Sequence, residues 1–126
     1  MSPAVARWFA ETRDMVTDGG GDPRHDTEVG RMLRRRAELD PPPMATIADV
    51  VAHVDHVREV AGLDHVGIGG DYDGSVFMPV DLQDVSKYPR LFEALRATGW
   101  SRADLDQLRA DNILRVMNDA QALARY

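Results

Sequence analysis

The chain has 126 residues, of which 44% are hydrophobic and 29% are charged, and this composition is typical of a soluble globular protein. The length is enough for one modest domain with a hydrophobic core. The net charge of −6 argues against a nucleic-acid partner, because phosphate binding needs a basic surface.

The chain contains no cysteine, which excludes disulfides, thiolate zinc sites and cysteine nucleophiles. The N-terminal residues are charged within the first seven positions, and no run approaches the ~18 apolar residues that a membrane-spanning helix needs. We therefore expect a cytoplasmic protein without a membrane partner.

Apolar residues at helical spacing predict five helices, over residues 3–17, 26–39, 46–60, about 89–98 and 110–123. Three glycines at 19–21 end the first helix, and Gly62 stands at the stop position of the third. Ser101 followed by Asp104 predicts a capping box. The triplet Arg34–Arg35–Arg36 is more typical of a solvated helix face than of an anion site.

The short stretch HVGIGG, residues 65–70, predicts one buried β-strand, because it is β-branched, apolar and bounded by glycines. A helix at 46–60 followed by this strand is an αβ unit, so the fold class is α/β. A lone strand leaves its backbone N–H and C=O groups without partners. The sequence therefore predicts that another chain, or a further part of this protein, completes the sheet.

The acidic turn after this strand, Gly69-Gly70-Asp71-Tyr72-Asp73-Gly74, is the strongest candidate site. In parallel α/β architectures ligands bind beyond the carboxyl ends of strands, and a carboxylate at Asp71 could hold a metal, orient a water or take a proton. The competing interpretation is a tight turn in which both aspartates bond nearby N–H groups. Spacing alone does not decide between the two.

Two metal-binding patterns fit the sequence less well. An EF-hand loop starting at Asp71 requires glycine at its sixth position and glutamate at its twelfth, which here are Val76 and Leu82. His53 and His56 in HVDH are three residues apart, whereas a helical metal pair usually spans four. Packed or hydrogen-bonded histidines are the simpler interpretation of that stretch.

Several stretches together resemble one enzyme family. HVDHVREVAGLDHVGIGGDYDG at 53–74, DLQDVSKYPRLFEALRATGW at 81–100 and ADNILRVM at 110–117 are similar, in this order, to the C-terminal part of the membrane (renal) dipeptidases, the zinc peptidases of family M19. SPAVARWFAE at 2–11 is similar to the segment after strand seven in bacterial members.

The resemblance implies the C-terminal third of a (β/α)8 TIM barrel of the metal-dependent hydrolase type, present as a single domain over residues 1–126. It implies hydrolysis of dipeptides with two zinc ions in the full-length family. Asp71 falls on the aspartate that contacts the substrate and handles the proton. Gly69, Gly70, Asp73 and Gly74 match the family motif, where we expect them to shape the loop.

The family's metal ligands are an HxD pair near its N-terminus, a bridging glutamate and two later histidines, and the resemblance places none of them in these 126 residues. A complete barrel takes about 250 residues. We therefore expect no zinc site within this chain alone, and either the N-terminal portion of the barrel or a second copy as partner. The alternative is a catalytically inactive helical module that associates with itself or with a partner.

Overall fold

A computed structural model describes residues 3–72, 74 and 77–124, with the side chain of Asp26 left out. The chain packs into two compact units, residues 1–45 and 46–126. No helix among the described residues is long and apolar enough to cross a membrane.

The first unit is a helical hairpin of α1 (Pro3–Asp18) and α2 (Asp26–Leu39). Helix α1 buries one face, formed by Val5, Trp8, Thr12 and Val16. Arg36 of α2 lies against this face, with its guanidinium 4.6 Å from the centre of the Trp8 ring. It donates to the Trp8 carbonyl at 2.9 Å and to Glu11 at 2.7 Å. The solvated-face prediction therefore holds for Arg34 and Arg35, which are exposed, and is wrong for Arg36.

The second unit contains α3 (Ile47–Ala61), a short 3-10 helix at Leu63–His65, a second one at Val85–Lys87, and α4 (Tyr88–Ala97). A continuous helical stretch follows, made of α5 (Arg102–Asp106), a π-helical turn (Gln107–Asp111) and α6 (Asn112–Leu123). The core consists of apolar side chains from α3, α4, α5, the π-helical turn and the intervening loops: Val51, Val66, Leu82, Leu91, Leu95, Trp100, Leu105 and Leu108.

Local capping chemistry fixes where two of these helices begin. The Thr46 hydroxyl accepts from the Asp49 N–H, and the Asp49 carboxylate accepts from the Thr46 N–H at 2.9 Å. The predicted box at Ser101 and Asp104 is also present, with bonds of 3.1 and 3.2 Å. Each box satisfies backbone donors that the first helical turn leaves unpaired.

The predicted strand at 65–70 is wrong. His65 closes the 3-10 helix, and although Val66 is extended at φ −118° and ψ 139°, the described residues include no strand. A strand is defined by its ladder of hydrogen bonds, and no backbone–backbone bond joins residues 67–70 to the other described parts of the chain. A β-branched composition favours an extended backbone, but it cannot supply the second strand that would complete the ladder of hydrogen bonds.

Candidate functional site

The acidic turn follows residues 66–70, which we call the extended segment after the extended backbone of Val66, and it centres on Asp71. Its backbone has a φ of +46°, a left-handed conformation that is uncommon for a residue with a side chain. The Gly74 N–H donates to the Asp71 carbonyl at 3.1 Å, which closes a four-residue turn. The Asp71 side chain is exposed. The turn thus holds one carboxylate in solvent at the end of an extended segment.

Two of the glycines predicted to shape this loop have neighbours that leave no room for a side chain. A Cβ on Gly74 would overlap the Asp71 carboxylate, and a Cβ on Gly70 would lie 2.5 Å from the Tyr72 ring and 2.7 Å from the Tyr88 hydroxyl. Gly69 has open space around it. Asp73, the other predicted member of the motif, lies outside the described residues.

Tyr72 and Tyr88 form an aromatic pair beside Gly70. Their ring centres are 5.7 Å apart, and Phe92 extends the cluster at 6.1 Å from Tyr88. Burial raises the pKa of Tyr72 to about 12, with a hydrogen bond to Tyr88 acting in the same direction. Tyr72 therefore keeps its proton at neutral pH and remains a hydrogen-bond donor.

A cavity of about 260 Å³ lies between α3, the extended segment and the start of α4. Its polar lining groups are His53, Tyr72 and Tyr88, and the backbone from Gly67 to Gly70 forms one wall. The remaining lining is apolar: Val50, Val54, Ile68, Met78, Pro79, Leu82 and Leu91. We call this cavity the tyrosine cleft. Sequence reasoning did not find it, because its walls come from segments far apart in the chain.

The HVDH stretch has a structural role through its aspartate. Asp55 accepts a hydrogen bond from the Trp100 indole at 2.6 Å, and the Arg58 guanidinium lies 4.5 Å from the Trp100 ring centre. Arg58 also pairs with Asp104 at 3.1 Å. Asp55 stands four residues after the buried Val51 and so lies on the same helix face. An acid on an apolar helix face was the sequence signal that Asp55 has a buried hydrogen-bond partner.

Asn112 is a second residue that sequence reasoning missed. Its side chain is only 6% exposed, and its amide donates to the carbonyls of Leu63 at 2.7 Å and Val66 at 2.9 Å. These bonds tie the start of α6 to the segment that leads into the acidic turn. Asn112 stands four residues after the buried Leu108, again a polar side chain on an apolar face.

The family model for membrane dipeptidases (peptidase family M19) matches residues 26–126. The chain belongs to this family. The family resemblance is thereby confirmed, and the dipeptidase family implies a TIM-barrel metallohydrolase fold and a peptidase class of hydrolase. The match begins at residue 26, so the similarity of residues 2–11 to a dipeptidase segment stays a prediction.

In the part of the chain that the structure describes, the residues of this dipeptidase-family protein do not fit the zinc site that the family uses in general. Among the described residues, no three His, Asp or Glu side chains come together in a way that could hold a metal ion. His53 and His56 are both exposed, and Asp55 between them is bonded to Trp100. The structure thus places Asp71 against Gly74 and Gly70 against the tyrosine pair, and it assembles no metal-ligand set from the residues it describes.

Proposed function

We propose that this chain takes part in the hydrolysis of dipeptides, with Asp71 as the group that moves the proton. The observation that carries the proposal is the exposed Asp71, held at a φ of +46° between Gly70 and Tyr72, which both line the tyrosine cleft. A non-glycine residue in this conformation has a backbone cost, and such costs cluster at functional sites. The membership in the dipeptidase family supports the reaction class.

The proposed role is general acid–base catalysis. Hydrolysis adds water to the carbonyl carbon and breaks the C–N bond, so one proton must pass from the attacking water to the departing amine. A carboxylate within hydrogen-bond reach of both groups can accept this proton and return it. Activation of the water requires groups that the described residues lack, so we propose that activity needs the metal-binding part of the family's barrel.

Complementation with that part of the barrel tests the proposal. The 126-residue chain is mixed with a polypeptide carrying the metal-ligand half of a family member, and hydrolysis of glycyl-leucine is followed in the presence of zinc. We expect hydrolysis in the mixture. Asp71→Asn should lower the rate about a hundredfold or more, which is the lower end of the usual contribution of a general acid–base group.

Asp81→Asn is the matched control, because Asp81 also has a positive φ, 66°, and its carboxylate is paired with Arg90. Its rate should stay at the wild-type level. Equal rates for Asp71→Asn and wild type would refute the role of Asp71. Chelator-sensitive hydrolysis by the 126-residue chain alone would refute the need for the metal-binding part.

A second candidate function is a non-catalytic module that associates with itself or with another protein. Helix α6 favours it, because five of its large apolar side chains are at least half exposed: Ile113, Leu114, Val116, Met117 and Leu123. Exposed apolar patches of this kind mark interaction surfaces. Light scattering across a concentration series distinguishes the candidates, since a stable monomer at all concentrations argues against self-association.

A further inference from the structure

Two further side chains on the helical stretch of Asn112 bind the same segment that Asn112 binds, residues 63–66. Gln107 in the π-helical turn donates from its side-chain amide to the Asp64 carboxylate at 3.0 Å. Arg115 in α6 donates from its guanidinium to the Asp64 carbonyl at 2.7 Å. With the two bonds of Asn112, they make four hydrogen bonds from one helical stretch to this segment. We call the three donors, Gln107, Asn112 and Arg115, the helix clamp.

The π-helical turn explains how side chains five residues apart reach the same segment. In a regular α-helix, residues five apart lie on faces about 140° apart. Here the Asn112 N–H donates to the Gln107 carbonyl, which is the five-residue bond of a π-helix, so Asn112 stands one turn above Gln107. Arg115 follows Asn112 by three residues and lies on the same helix face. The turn therefore brings all three donors of the helix clamp onto one face.

The clamped segment, residues 63–66, leads directly towards Asp71. Residues 67–70 come between them, and three of these four residues are glycine. They make no backbone–backbone hydrogen bond with the other described parts of the chain. A glycine-rich segment of this kind samples many conformations unless its ends are fixed. The helix clamp fixes the end at Val66, and the tyrosine pair packs around Gly70 at the other end.

We propose that the helix clamp positions the acidic turn, because its hydrogen bonds to residues 63–66 keep Asp71 in the left-handed conformation. Gln107, Asn112 and Arg115 are then positioning residues, which act on Asp71 through the intervening backbone. The inference rests on the proposed function only for the reaction that Asp71 serves. The conformation of the turn is a property of this chain and can be measured without catalysis.

NMR on the full 126-residue chain measures the conformation of Asp71. The N–H of a residue with a positive φ lies close to its own Hα, so a strong cross-peak between these two protons marks the left-handed conformation. Asn112→Asp keeps the size of the side chain and removes both of its donated bonds. We expect this variant to lose about half of the Asp71 cross-peak intensity or more, because a left-handed residue with a side chain becomes the minor state once its anchor is gone.

Asn118→Asp is the matched control, because it makes the same replacement at an exposed position of α6. Its Asp71 cross-peak should equal that of the wild type. The spectra are compared without denaturant, where circular dichroism checks that the helices are folded. A lower urea midpoint for Asn112→Asp with an unchanged Asp71 cross-peak would give Asn112 a purely structural role and overturn the proposal. Equal losses of intensity in the two variants would also overturn it.

A double variant, Gln107→Ala with Arg115→Ala, tests the rest of the helix clamp. It removes the two bonds to Asp64 and leaves Asn112 in place. We expect the Asp71 cross-peak to weaken in this variant as well, but less than in Asn112→Asp, because half of the bonds remain. If Asn112→Asp fails to fold, the double variant decides, and an unchanged cross-peak in it would overturn the proposal.

The complementation assay separates this inference from the proposed function. In the mixture with the metal-binding part, Asn112→Asp should lower kcat about tenfold or more and leave KM within about twofold, because a misplaced proton-transfer group slows the chemical step without weakening substrate binding. Loss of the cross-peak in Asn112→Asp, together with unchanged hydrolysis in Asp71→Asn, would refute only the proposed function. Hydrolysis that depends on Asp71, together with a wild-type cross-peak and rate in Asn112→Asp, would refute only the positioning role.

Discussion

Replacing Asn112 by alanine should strongly destabilise the second unit. The substitution removes two hydrogen bonds, of 2.7 and 2.9 Å, to the carbonyls of Leu63 and Val66. Each lost bond costs about 1–2 kcal/mol when its acceptor stays largely buried, so we expect a loss of about 2–4 kcal/mol in the free energy of unfolding. This is a large share of the stability of a small domain, which is about 5–15 kcal/mol.

Urea unfolding followed by tryptophan fluorescence measures this loss. The chain has two tryptophans, Trp8 in the first unit and Trp100 in the core of the second. In a Trp8→Phe background the signal reports the second unit alone. Asn118→Ala is the matched control, because Asn118 lies on the same helix and is exposed. Both substitutions gain the same helix propensity, so their difference isolates the two hydrogen bonds.

The result that would refute the reasoning is a loss below about 0.5 kcal/mol, or one equal to that of Asn118→Ala, since exposed substitutions usually stay within this range. Such a result would mean that the carbonyls of Leu63 and Val66 find water or other donors without cost. The segment before Asp71 would then not depend on α6 for its position.

Asp55→Ala should lower the free energy of unfolding by about 1.5–3 kcal/mol, because it removes the charged acceptor of the Trp100 indole. His56 is exposed, so His56→Ala should lower it by less than about 0.5 kcal/mol. Equal losses for the two variants in urea unfolding would contradict this expectation. The hydrogen bond from the Ser101 N–H lowers the pKa of Asp104. The ionised Asp104 therefore stabilises the folded state fully above the ordinary aspartate pKa, and this stabilisation is lost as the pH falls through the lowered value. Asp104→Asn should therefore flatten the acid-side fall of the urea midpoint, and an unchanged profile would argue against the cap. The pKa of Tyr72 is raised from 10.0 to about 12, so its stabilisation is complete below pH 10 and is lost between these values. Between these pH values Tyr72→Phe should lose less stability than the wild type, as measured by circular dichroism at each pH. Equal losses in the two proteins would show that Tyr72 does not ionise there.

The helices could be predicted from the sequence because their signals are local. The prediction of 26–39 matches α2, and 46–60 differs from α3 by one residue at each end. Apolar period, capping residues and helix-ending glycines act within one or two turns.

The single-domain prediction and the location in the cytoplasm stay predictions.

The site was less predictable because its contacts span long separations in sequence. Asp55 and Trp100 are 45 residues apart, and Asn112 is 46 residues from Val66. Apolar periodicity identifies the buried face of a helix but not the partner of a polar side chain on that face. The strand prediction at 65–70 failed for the same reason, because a strand needs hydrogen bonds to a second segment, which composition does not specify.

Side chains hold the segment before Asp71, residues 66–70, at each of its ends. Asn112 binds the carbonyl of Val66 at one end, and the Tyr72–Tyr88 pair packs around Gly70 at the other. Between them, residues 67–70 make no backbone–backbone hydrogen bonds with the described chain. The geometry around Asp71 therefore depends on two side-chain anchors, Asn112 and the tyrosine pair. Asn112 links this positioning to stability, because the bond that anchors Val66 also fastens α6 to the core.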